Sequence, residues 1–258
     1  MPIKETMSLR MCNMKKIFAA LFAAAMIFNS PVTNAEGQIP YPAGLDTQTE
    51  GASSAPKEIN HNPSPYFKHL DFYNMKSTDT LTILTHYPTY QQTTEYTCGG
   101  AAALTILYWY GDKKYDEMSL TKAFKTRPYP YGTHLHEIEN FFKRIGWQVK
   151  SSIGRDYISR YDDFKAFILR ELRAGHPVLV ENIEWGGHYR VIIGYDTMGT
   201  ENSLDDTLVF MDSYDTSDHL QVGYTIGNGE RFFNMWFDRS MLKESDRYQP
   251  WIVAYPRN

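Results

Sequence analysis

The chain has 258 residues, 42% of them hydrophobic and 15% aromatic, with a formal net charge of −4. That is enough apolar material for a good-sized core in one or two domains. An acidic chain without a Lys/Arg stripe argues against nucleic acid or anionic lipid as a partner.

In chain order, Met14 opens MKKIFAALFAAAMIFNSPVTNA. Lys15 and Lys16 form a basic start, Ile17 to Phe28 is apolar, and Thr33-Asn34-Ala35 suits cleavage. The pattern predicts a secretory signal peptide over 1–35, with Met14 as a possible initiator, and a periplasmic or extracellular destination. It is too short and wrongly flanked for a membrane span, and no later apolar run approaches 18 residues, so no integral membrane anchor is expected. Residues 1–35 carry Lys4, Arg10, Lys15, Lys16 and Glu5, so trimming takes the net charge from −4 to −7. Of the two cysteines, Cys12 goes with this segment and Cys98 stays as the single thiol. One leftover thiol in an exported chain is either an inert core residue or a reactive one.

Residues 36–65 are rich in Pro, Gly, Ser, Thr, Asn and Gln and predict a flexible leader or a surface-draped arm. Their position before a thiol leaves open a passive leader or an inhibitory pro-segment. The domain is expected over 66–258. Residues 81–88 (LTILTHYP) predict a strand, and 98–110 (CGGAAALTILYWY) a helix buried all round. Residues 116–126 and 134–146 predict amphipathic helices, and 147–152 a strand. Residues 161–175 give the clearest helix, with an Asp as N-cap candidate. Residues 177–183, 188–196, 207–212 and 251–255 then alternate as strands, with turns at Gly186-Gly187 and 197–206. Helices first and an antiparallel sheet after them is an α+β architecture.

Three features mark Cys98 as a candidate nucleophile. It begins a helix, where free N–H groups and the dipole favour a thiolate. Gly99 and Gly100 beside it would let a carbonyl approach, and the Cys98 N–H would serve as an oxyanion donor. Finally, a base and an orienter lie downstream. His188 begins one predicted strand and Asp212 ends the next, so a hairpin would set them at one sheet edge. Asp215 and Asp218 are loop-like rivals to Asp212, while Asp196 fits turn chemistry. Trp185 and Gly187, on the loop before His188, are candidates for a substrate pocket. His134, His136 and Glu137 lack the i, i+4 histidine pair of a zinc helix and read as a helix start, so no metal or other cofactor is expected. Tyr108, Trp109, Tyr110, Phe141 and Phe142 read as core.

Gln92 and Cys98-Gly99, followed by an apolar helix ending YWYG, resemble the nucleophile segment of the bacteriocin-processing (double-glycine leader) peptidase family. That family belongs to the papain-like cysteine peptidases. Residues 175–196 (GHPVLVENIEWGGHYRVIIGYD) resemble its histidine strand, and 208–215 (LVFMDSYD) its strand-ending aspartate. The likeness runs from Leu81 to Tyr255. It implies a papain-like fold, Cys98 as nucleophile, His188 as base, Asp212 as orienter and Gln92 as side-chain oxyanion donor, with Gln91 as its rival. Gly100 departs from the proline that many relatives carry. Members that clip leaders are fused to transporters, whereas this chain is expected to be exported, so leader clipping is not carried over. The expected activity is hydrolysis of a peptide or amide. The same machinery would serve acyl transfer, and a non-catalytic binding module is the alternative of a different class.

Overall fold

The computed structural model describes residues 36–55, 70–216 and 221–257. The expected signal segment with Cys12, the second part of the leader and Asp218 lie outside the described residues.

Helix α1 spans Cys98–Trp109. Every residue from Cys98 to Leu107 is buried, so the helix needs neighbours on all sides. Strand β4 (His188–Asp196) and helix α2 (Glu117–Ala123) supply two of them. Asp116 caps α2 by accepting from Ser119 N at 2.7 Å, while Ser119 Oγ accepts from Asp116 N at 3.0 Å. The helix is shorter than the predicted 116–126 because Lys125 turns the chain with φ 53°. Helix α3 is Leu135–Arg144, with His134 at its N-cap position. Helix α4 is Tyr161–Arg173. Its N-cap is Arg160 rather than an aspartate. Asp162 and Asp163 occupy the first turn, where they face the positive end of the dipole.

The sheet has seven strands, all paired antiparallel. Besides β4 they are β1 (Leu81–Ile83), β2 (Gln148–Ser151), β3 (Val178–Asn182), β5 (Thr207–Asp212), β6 (Tyr224–Asn228) and β7 (Trp251–Tyr255). The order is β2-β7-β3-β4-β5-β6, and β1 pairs with the end of β4. Strand β1 is only the start of the predicted 81–88, because His86 reverses the chain at φ 62°. Strand β6 and the short helix α5 (Gly229–Asn234) were not predicted. Strand β3 is buried at every position and β4 at all but the last, in place of the expected alternation. Continuous burial requires cover on both faces. Helices α1 and α4 both contact β4. The core joins Leu104, Ile106 and Leu107 of α1, Phe142 of α3, Phe164 of α4 and Val191 to Ile193 of β4.

Candidate active site

Cys98 is the first residue of α1, 6% exposed and not in a disulfide. No side chain caps this helix end, so its first N–H groups lack a side-chain acceptor. His188 is the first residue of β4 and Asp212 the last of β5. The antiparallel register sets Arg190 opposite Asp212. His188, two residues earlier on the same face of β4, therefore reaches Asp212 diagonally. Its Nε2 lies 2.7 Å from Asp212 Oδ1. The Cys98 sulfur acts on the same ring, adding to the rise in its pKa. With Nε2 engaged by the carboxylate, Nδ1 is the nitrogen left for sulfur.

Asp212 is held from several sides. Oδ1 also accepts from Tyr214 N at 2.9 Å, and Oδ2 accepts from Thr225 Oγ1 at 3.1 Å. Arg190 Nη1 lies 3.7 Å from Oδ2, while its Nη2 pairs with Glu184 at 2.8 Å. Burial acts to lower the His188 pKa, but the Asp212 carboxylate, their hydrogen bond and the Cys98 sulfur outweigh it and raise it to about 9. Burial acts to raise Asp212, but His188, Arg190 and the Tyr214 N–H hold its carboxyl well below the usual range. The arrangement favours an imidazolium beside the sulfur.

Gln92 is buried on the loop before α1. Its Oε1 accepts from Ser213 Oγ at 2.8 Å, which turns Nε2 to donate to Thr94 O at 2.8 Å. One Nε2 hydrogen is left for a further acceptor. Gln92 N also donates to Ser213 O at 2.9 Å. The side chain of its rival Gln91 instead donates to Asp215 O at 3.3 Å. Gly100 lies against α2: a Cβ there would stand 2.8 Å from Thr121 Oγ1 and 3.2 Å from Glu117 O. At Gly99 it would stand 2.9 Å from Thr133 Oγ1. The two glycines expected to open the sulfur to a carbonyl thus allow close packing around α1.

Trp185 is 73% exposed, with its ring 5.5 Å from that of Tyr214, and has a left-handed backbone at φ 57°. Tyr214 in turn stands edge-on to His188 at 6.5 Å, and its hydroxyl donates to Glu95 at 2.8 Å. A Cβ on Gly187 would stand 2.8 Å from Asp238 Oδ2.

Three contributors escaped the sequence reading. Glu117 is buried and accepts from Thr93 N at 2.9 Å, Thr93 Oγ1 at 2.7 Å and Tyr90 Oη at 3.0 Å, and also from Thr97 Oγ1. It thereby holds the loop from Tyr90 to Thr97, and burial raises its pKa. Ser213 orients Gln92. Glu181 is fully buried beside Asp238, and burial, that neighbour and the Cys98 sulfur push its carboxyl well up. No local motif marks any of them; each acts through a contact between distant segments.

Among the described residues, no group of three or more His, Cys, Asp or Glu is placed to hold a metal ion. Nor is any helix there long and apolar enough to cross a membrane.

Residues 84–238 match the Peptidase_C39 like family, a span that contains Gln92, Cys98, His188 and Asp212. No curated protein matches the chain. Among solved structures, it is similar to the peptidase domain of Streptococcus ComA, described as a bi-functional ABC transporter involved in quorum sensing. The identity is 21%, over 67% of this chain and 100% of that one, with a TM-score of 0.45. It is also similar to a protein from Bacillus anthracis described as a C39-like peptidase, at 16% identity over 70% of this chain and 100% of that one, with a TM-score of 0.49. By the match over residues 84–238, the chain belongs to the Peptidase_C39 like family and is a cysteine peptidase-like enzyme.

Proposed function

We propose that the protein is an exported thiol hydrolase acting on a peptide or amide bond, with Cys98 as nucleophile, His188 as base and Asp212 as orienter. The observation that carries this reading is the 2.7 Å bond from His188 to Asp212, on a ring whose pKa the Cys98 sulfur also helps to raise. A nucleophile, a base and a group that fixes the base are the parts covalent acyl chemistry needs. The Cys98 proton passes to His188, and the sulfur attacks the carbonyl carbon. Gln92 Nε2 and the Cys98 N–H stabilise the oxyanion. The imidazolium then protonates the leaving amine, and water, deprotonated by His188, releases the acid from the thioester. Export rests on the pattern from Lys15 to Ala35, and predicts that the mature chain begins at Glu36.

The test is alkylation by iodoacetamide at pH 6, followed by mass spectrometry of the Cys98 peptide. One rapid adduct is expected, absent in Cys98→Ala and strongly slowed in His188→Ala. A Cys98 that reacts no faster in the folded than in the unfolded protein would sink the reading.

A further inference from the structure

We infer that residues 36–55 are a positioning element of the catalytic loop, clamping the backbone of Gln92 so that its carboxamide is fixed for the oxyanion. The inference rests on the reading of Gln92 as an oxyanion donor. It assigns to the leader a role opposite to that of an inhibitory pro-segment.

The loop from Thr89 to Glu95 belongs to no strand, so its backbone groups need partners from elsewhere. The arm supplies them in sequence. Ile39 N donates to Thr89 O at 2.8 Å, and Thr89 N donates to Gly37 O at 3.2 Å. Tyr41 Oη donates to Gln91 O at 3.0 Å, while its ring stands edge-on to Tyr90 at 5.0 Å. Ser53 N donates to Gln92 O at 3.0 Å, and Gly51 N to Glu95 Oε1 at 2.9 Å. The carbonyls of Thr89, Gln91 and Gln92 are thus all satisfied by residues of the arm. Ile39, Ala52 and Ser53 are buried against the domain, a degree of docking a passive leader does not need.

Gly51 shows how close the approach is. Its φ is +71°, and a Cβ there would stand 2.5 Å from Thr93 C and 2.6 Å from both Gln92 O and Thr94 N. All three are backbone atoms of the catalytic loop and cannot rotate aside. Any side chain at residue 51 must displace either the arm or the Gln92–Thr94 backbone. On its other side the same backbone is bonded to Ser213 and Glu117. Gln92 is therefore gripped from two directions, and one of the grips is the arm.

Two reactions of one thiol separate positioning from general damage. Iodoacetamide alkylates by displacement: sulfur bonds to the methylene carbon, iodide leaves, and no oxyanion forms. With p-nitrophenyl acetate, sulfur attacks the acetyl carbon through a tetrahedral oxyanion, p-nitrophenolate leaves, and an S-acetyl enzyme remains. In the full chain, Gly51→Ala is expected to slow the p-nitrophenol burst about tenfold or more, since small displacements of a positioned donor cost that much. Alkylation of Cys98 should keep its rate. Gln92→Ala should slow the burst on the order of 10²-fold. Adding Gly51→Ala to it should slow the burst no further, because both act through one group. Where Gly51→Ala fails to fold, Tyr41→Phe decides: it removes one loop bond, keeps the ring, and should slow the burst but not the alkylation. Equal slowing of both reactions, additive losses in the double variant, an unchanged burst, or a faster burst would each overturn the proposal. A wild-type Cys98 inert to iodoacetamide would instead refute the catalytic reading itself.

Discussion

Asp212→Asn preserves the shape beside His188 and an acceptor oxygen for Nε2, but removes the charge. The His188 pKa is raised from 6.5 to about 9 although burial acts to lower it. That rise corresponds to ~3 kcal/mol in favour of the imidazolium over the neutral ring. With the carboxylate gone, desolvation prevails and the ring becomes neutral near pH 7. Iodoacetamide alkylation of Cys98 at pH 6 should fall severalfold or more and become steeply pH-dependent, while the His188 ring resonances should titrate below 6.5. Stability should follow the same charges. His188 is raised, so its contribution is complete below about 6.5 and is lost as pH rises through about 9. Asp212 is lowered, so its contribution is present above its ordinary 3.8 and is lost as pH falls below it. The stability lost in Asp212→Asn should therefore be greatest between these limits and shrink toward pH 9. A variant that alkylates at the wild-type rate at pH 6 would refute the argument, since the carboxylate would then contribute nothing to the imidazolium.

Two further predictions concern buried carboxyls. Glu181 is raised, so as pH climbs above the ordinary glutamate value of 4.5 the unfolded chain releases its proton first and the folded state loses relative stability. Glu181→Gln should therefore raise the denaturation midpoint at pH 8, with the gain vanishing below about pH 4.5; a loss at pH 8 would contradict this. Glu117→Ala would leave two threonine hydroxyls, the Tyr90 hydroxyl and the Thr93 N–H without their acceptor. It should cost about 3 kcal/mol or more, a drop in Tm on the order of 10 °C by calorimetry.

Much of the scaffold was legible because it obeys local rules. The glycines just past the ends of α1, α3 and α4, Gly111, Gly146 and Gly175, all have positive φ. The neighbourhood of His188 and Asp212 followed from strand order, since an antiparallel hairpin joins the start of one strand to the end of the next. What escaped depends on contacts between distant segments. YTIGN (224–228) ends in Gly-Asn, has no sustained alternating apolar pattern, and takes its form by pairing with β5. Glu117 looks like any acidic residue in the first turn of a helix until the loop from Tyr90 to Thr97 folds over it. The leader from Glu36 is polar and aperiodic, yet 36–55 docks through backbone donors and a glycine, which hydropathy does not register. The bareness of Gly100 looked like access and proved to be helix packing, because composition alone cannot tell which neighbour a missing side chain admits.

The two bonds joining Gln92 to Ser213 also link the two segments that bring Cys98 and His188 to one place. Ser213 follows the residue that holds His188, and Gln92 lies on the loop leading into the helix that begins at Cys98. The loop before Cys98 and the segment after Asp212 are thus joined by these bonds, with Gln91 to Asp215 and Tyr214 to Glu95 as further links. These bonds hold the segment that leads to Cys98 and the segment that follows Asp212 in fixed register. Hydrogen exchange at the Gln92 amide should accordingly be as slow as in the middle of β4.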